Sequence, residues 1–184
     1  MTKTRYHALG LIALAVAFAF IFYASRERAA TNGHIVKTDA NAWAFELGLF
    51  SADPERRRAA WNTLALAIAD IGESSPPAQA GGRILTIEVL ARYRNQLIYT
   101  PKQDRVRILQ TGLRDEDQSI NLNALFVIGI VAHTRGDSDS WSSALTELKR
   151  DVEHVSASAS GDLKMQADHV LRMMSKRISA TGSQ

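Results

Sequence analysis

Three rhythms of apolar and polar residues run along this chain. Residues 8–24, ALGLIALAVAFAFIFYA, are apolar without interruption by a charge. Seventeen residues in a helix cover roughly 25 Å, the short end of a bilayer span. Residues 26–40 are polar and aperiodic, with Asn32-Gly33 as a turn signal, and read as a linker. From residue 53 onward apolar residues return at three- and four-residue spacings, the mark of amphipathic helices.

Asp53 followed by Pro54 is a helix start, and Trp61, Leu64, Ile68 and Ile71 recur behind it up to Gly72. Breakers fill residues 74–82. A second helix is predicted over 83–98, with Ile84, Ile87, Leu90, Ala91 and Leu97 inward, although its β-branched start also suits a strand. Thr100-Pro101 repeats the cap-then-proline signal before Val106, Leu109 and Leu113. Asp115, Glu116 and Asp117 then supply negative charge to the start of the next helix, favourable against its dipole. That helix contains ALFVIGIVA at residues 124–132, apolar all round, and is predicted to be the covered centre of the domain. Trp141, Leu145, Leu148, Val152 and Val155 mark another helix, and residues 156–161 a polar loop. Asp162 is predicted to cap the last helix, with Leu163, Ala167, Val170 or Leu171, Met174 and Ile178 inward. Residues 41–50, around Trp43, fit a short helix or a strand.

The predicted architecture is therefore all-α: an N-terminal transmembrane helix (1–25), a linker (26–40), a compact bundle or short α-solenoid of six to seven helices (41–178), and a flexible tail (179–184). Tyr6 and Tyr23 bracket the apolar run at the level where aromatic rings meet headgroups. Ala13 and Ala17 make a small-xxx-small pair that would let two such helices pack and self-associate. A cleaved signal peptide is the competing reading, since several small-x-small sites occur. Cleavage after Ala19 would leave Phe20, Ile21, Phe22 and Tyr23 at the new terminus, which favours an uncleaved anchor.

Charge changes the picture in two ways. The chain is formally +3, but Lys3, Arg5, Arg26 and Arg28 flank the apolar run, and residues 31–184 carry 18 charges of each sign. A neutral domain is not a dedicated nucleic-acid binder, which needs a basic surplus to displace counterions. Within it, residues 54–114 are net +5 and residues 115–170 net −6, a polarity suited to head-to-tail contacts or orientation on a surface. No cysteine occurs, which excludes disulfides, thiolate metal sites and cysteine nucleophiles.

The stretches beginning at Asp53 and Asp115 are alike: an acidic cap, a polar first turn, then small and apolar residues. Leu113, Asp115, Asp117, Ile120-Asn121, Ala124-Leu125 and Ile128-Gly129 resemble the HEAT repeat, with Asn121 where those repeats carry a basic residue. The resemblance implies a small α-solenoid-like scaffold with a contact surface. The offset of 62 residues exceeds one HEAT period of about 40–47. It fits two shorter hairpins, or two capped amphipathic helices alike only as such helices are.

Chemical motifs add little. Gly81-Gly82 lacks the lysine of a phosphate loop. His7, His34, His133, His154 and His169 are scattered without ligand spacing. The acidic clusters at 115–117 and 137–139 lack the glycine and terminal glutamate of a calcium loop, and helix capping accounts for them. No catalytic, cofactor or metal residue is assigned. Trp43 and Arg56-Arg57-Arg58 are candidate partner contacts. Anchor, helical body, size and high alanine content together lead to the expectation of a bacterial inner-membrane protein with a periplasmic domain. It would be a structural or assembly subunit of a secretion- or conjugation-like complex, with lipid and other envelope proteins as partners. The alternatives are a membrane-tethered enzyme with dispersed ionisable residues and a cytoplasm-facing adaptor.

Overall fold

The computed structural model describes residues 35–69, 78–80, 83–134 and 138–181; the predicted membrane segment, with Tyr6, Ala13, Ala17 and Tyr23, lies outside them. Among the described residues are seven helices, α1 (Ala42–Leu47), α2 (Pro54–Ile68), α3 (Ile87–Tyr99), α4 (Lys102–Leu113), α5 (Gln118–His133), α6 (Ser138–Ser158) and α7 (Gly161–Thr181). One antiparallel pair, β1 (Ala78–Ala80) and β2 (Arg83–Leu85), interrupts them. The all-α expectation holds apart from that pair. None of the described helices is long and apolar enough to cross a membrane.

Local chemistry sets most boundaries. Asp53 accepts a hydrogen bond from the Glu55 amide, and Pro54 opens α2 as predicted. Asp117 caps α5 through the Ser119 amide. Gly48, at φ 101°, ends α1 in a left-handed turn that a β-carbon would strain. Residues 41–50 thus take the helical alternative.

Four boundaries differ from expectation. The helix predicted from residue 83 begins at Ile87, because Thr86 accepts from the Val89 amide and caps it there, leaving 83–85 to β2. Ile87 is consequently 45% exposed rather than inward. Thr100 does not cap α4: its hydroxyl donates to the Gln96 carbonyl and accepts from the Trp43 indole, so it closes α3 instead. The loop predicted at 156–161 shrinks to Ala159 and Ser160, with Asp162 inside the first turn of α7 rather than at its cap. The last helix continues to Thr181, past the tail predicted from Ser179.

α4 and α5 form one helical hairpin, α6 and α7 another, and like helices of the two hairpins lie side by side. Lys102, at the start of α4, reaches Ser143 and Glu147 near the start of α6. Gln110 and Arg114, at its end, reach Asp151 further along α6. Those two helices therefore run parallel. Arg177, late in α7, donates to the Val131 and Thr134 carbonyls at the end of α5, so this pair is parallel too. α2 joins the same layer, its first turn beside that of α5.

α5 is the centre, in contact with α2, α4, α6 and α7. Leu125, Val127 and Ile128 are fully buried, Ile130 and Val131 are partly covered, and Phe126, 37% exposed, is the most open side chain of the apolar run. The predicted stripe of α6, Trp141 to Val155, is buried throughout, and on α7 Val170 rather than Leu171 takes the inward position. Gly112 of α4 is required by contact: a β-carbon there would lie 2.5 Å from the Trp61 ring and 2.8 Å from the Ala124 methyl.

The two stretches read as alike are neighbours in space. α7 starts at Gly161, 43 residues after α5 starts at Gln118. α2 starts 64 residues before α5, because β1, β2 and α3 are inserted between. That insertion packs on α2, where Leu85 and Leu90 form a small apolar cluster with Ala67.

Candidate functional site

The first turns of α2 carry the predicted contact residues Arg56, Arg57 and Arg58, and they have different fates. Arg57 is the best satisfied. Its Nε and Nη2 hold Asp115 at 2.6 and 3.3 Å, and Nη1 donates to the Ser51 carbonyl at 2.7 Å. Arg58 donates through Nε to Asp117 at 2.8 Å. Arg56 is exposed, its stem lying against Gly48. Two of the three arginines thus fasten α2 to the turn before α5, and only Arg56 remains for a partner.

The acidic side of this clamp is itself ordered. Asp115 Oδ1 accepts from the Asp117 amide, and Asp117 Oδ1 accepts from both the amide and the hydroxyl of Ser119. The Ser119 hydroxyl does most to hold the Asp117 carboxyl at about 2, burial opposes it, and Arg58 and the Ser119 amide reinforce the lowering. Asn121 donates to the Gly112 and Asp115 carbonyls from inside the turn.

The same arrangement recurs elsewhere. Lys102–Glu147 and Arg114–Asp151 join α4 to α6. Every one of these four cross-element pairs takes its base from 54–114 and its acid from 115–170. The charge polarity of the sequence is therefore spent in large part inside the molecule.

Trp43 lies in the core, 4% exposed, and this corrects its assignment as a surface contact. Its indole N–H donates to Thr100 Oγ1 at 2.9 Å, and its ring is 6.4 Å from that of Tyr93. Asn41 beside it accepts from the Thr38 amide and donates to Asp104. This corner fixes the point at which the chain enters the domain.

Arg105 is the functional-looking residue that motif reading missed. It is 3% exposed, with its guanidinium 4.1 Å from the centre of the Trp141 ring and Nη1 donating to the Ile98 carbonyl. Nε is buried without a hydrogen-bond partner, and burial pushes the group below its ordinary value. The available signal was spacing: Arg105 stands three and four residues before Ile108 and Leu109, on the inward stripe of α4. Stacking of a cation on Trp141 compensates part of the cost of burying it.

His133, His154 and His169 are exposed and lie on three different helices. Among the described residues no group of three or more His, Cys, Asp or Glu side chains could hold a metal ion. No family model matches the chain, and neither a curated protein nor a solved structure matches it.

Proposed function

We propose that this protein is a membrane-anchored scaffold. A single-pass anchor at residues 8–24 would carry a short α-solenoid that acts through protein–protein contacts. Its setting would be a larger bacterial envelope assembly of the secretion or conjugation kind, with the domain on the periplasmic side. The observation that supports it most is the parallel stacking of like helices, α4 on α6 and α5 between α2 and α7, with ion pairs between α4 and α6 and between α2 and the turn before α5. Stacked hairpins present long, rigid outer faces, the usual basis of binding in helical-repeat proteins. The polar groups that the fold places well, Arg57, Asp115, Asp117 and Asn121, hold helices together. The apolar run with Tyr6 and Tyr23 at its ends supports the anchor.

The test is purification from membranes in mild detergent through a C-terminal tag, followed by sizing and identification of the copurifying chains. A large assembly of defined composition is the expected result. A lone monomer or homodimer, unchanged by prior crosslinking in cells, would overturn the scaffold assignment. A compartment-specific reporter fused after Gln184 checks the side of the membrane, with activity expected only from the periplasmic reporter.

A further inference from the structure

The insertion rests on an apolar contact of its own. Leu85 at the end of β2 and Leu90 in α3 close over Ala67 of α2, with Leu66 and Tyr93 at the margin. Among the described residues this cluster stands apart from the main core, with Tyr93 packed against both. α3 is held unequally as a result. At its end, Leu97 is wholly buried, Thr100 accepts from the Trp43 indole, and Arg105 donates to the Ile98 carbonyl at 3.3 Å. At its start, Ile87, Glu88 and Val89 all face solvent, and Leu90 is the first buried side chain. The Thr86 cap bonds to the Val89 amide and so steadies the helix without docking it.

The cost of a local opening follows the apolar surface that it uncovers. Lifting the start of α3 uncovers Leu85, Leu90 and Ala67, whereas unfolding the stack also uncovers side chains such as Trp61, Leu125, Ile128 and Leu145. We infer that the start of α3, with Leu85, is a lid on α2. It opens about the fixed Leu97–Thr100 end while the stack stays folded. Opening bares Leu66 and Ala67 on one side of α2. The other side of α2 remains tied to the turn before α5 through Arg57 and Arg58. The released turns do not keep their helix, since even all 13 residues of α3 are at the length where an isolated helix is marginal in water. Undocking therefore opens their amides to solvent. The device gives the stack an end whose cover lifts without loss of the fold.

Because the sequence has no cysteine, a single introduced thiol reports on one site. Two alanines serve, Ala67 of α2 (3% exposed) beneath the lid and Ala167 of α7 (0%) inside the stack. Full-length Ala67→Cys and Ala167→Cys proteins are reacted with a thiol reagent across low urea concentrations, each rate taken relative to the unfolded chain. Ala67→Cys is expected to react on the order of 100-fold faster than Ala167→Cys, with a rate almost independent of urea. Ala167→Cys should speed up steeply with urea, as exposure by global unfolding requires. In the unsubstituted protein, amide exchange should proceed at residues 87–92 well before residues 124–132. Equal rates with the same steep urea dependence overturn the lid. So does either signal alone: fast labelling without early exchange traces the opening to the substitution, and early exchange without fast labelling is fraying in place. Near-ultraviolet circular dichroism checks that both variants keep the tryptophan environments.

Discussion

The stack of α4 to α7 and the insertion of β1, β2 and α3 were built from equally apolar sequence, yet they treat it in opposite ways. In the stack each helix is covered by a neighbour of its own kind and its seams are closed by charge. Leu109, Leu125, Leu145 and Val170 are fully buried as a result. In the insertion, α3 has α2 as its main neighbour, and Ile87, Val89, Ile98 and Tyr99 stay at the surface. Stacked hairpins bury apolar surface because each supplies the face its neighbour needs. An element inserted beside the stack lacks such a partner and keeps one face open.

The contrast is sharpest where the stack has no spare volume. Gly112→Ala places a methyl within 3 Å of Trp61 and Ala124, and Trp61 is wholly buried with nowhere to retreat. Alanine gains about 1 kcal/mol of helix propensity over glycine, but the overlap is expected to cost about 3 kcal/mol or more. A large drop in the urea midpoint checks it. An unchanged midpoint would mean that the stack is no more closely packed than the insertion.

The seams come next. Arg57→Ala leaves Asp115, whose side chain is only 7% exposed, without its main counter-charge. A loss of about 2–3 kcal/mol is expected, less than for a fully buried pair because Arg57 is partly solvated. The combined Arg57→Ala, Asp115→Ala variant should lose clearly less than the sum of the single variants, a coupling that a double-mutant cycle reads directly. Additive losses would remove the clamp from the account of the fold. Where the chain enters, Trp43→Phe gives up the bond to Thr100, about 1 kcal/mol, and adds the cost of the space that the smaller ring leaves in the core. Tyr99→Ala, one residue away on the open face, should leave the midpoint unchanged.

The stack was more legible than the insertion, and for a physical reason. Stripes such as Trp141, Leu145, Leu148, Val152 and Val155 are local patterns, and the caps at Asp53 and Asp117 are local chemistry. The errors arose where a distant partner decided. Thr100 before Pro101 has the form of an N-cap, but the indole of Trp43, 57 residues away, engages its hydroxyl. Trp43 read as a surface anchor because nothing within its own short helix shows what covers it. The charge polarity was visible in composition, but that Arg57 finds Asp115 and Arg114 finds Asp151 depends on which helices lie side by side. Arg105 broke an otherwise apolar stripe, a signal that spacing alone contained.

The clamp also predicts a pH response. Asp117 has its folded value near 2, below the ordinary 3.8, so its contribution is complete above pH 3.8 and disappears as pH falls toward 2. The contribution is on the order of 1 kcal/mol, since Arg58 is half exposed and screened. Asp168 and Glu88 are lowered as well, by the hydroxyls of Ser156 and Thr86 respectively, so the whole protein loses more than this one term. Comparing wild type with Asp117→Asn at about pH 5 and about pH 2.5 isolates it. The gap between the two should be full at the higher pH and clearly smaller at the lower, where the folded carboxyl has begun to take up its proton. A gap that persists undiminished would assign the effect to the cap geometry rather than to charge.

The smallest expected effect is the most telling for the insertion. Ile87 begins α3 as its first helical residue, is 45% exposed, and follows the Thr86 cap without taking part in it. Ile87→Ala should change stability by no more than about 0.5 kcal/mol, because little apolar surface returns to water and alanine is the better helix former. An equal truncation inside the stack, Ile128→Ala, removes a fully buried side chain and should cost about 2–5 kcal/mol. The ratio of those two numbers measures how far the insertion is free of the core. If Ile87→Ala approached the cost of Ile128→Ala, the open face of α3 would be covered in solution, and the insertion would belong to the packed body of the molecule.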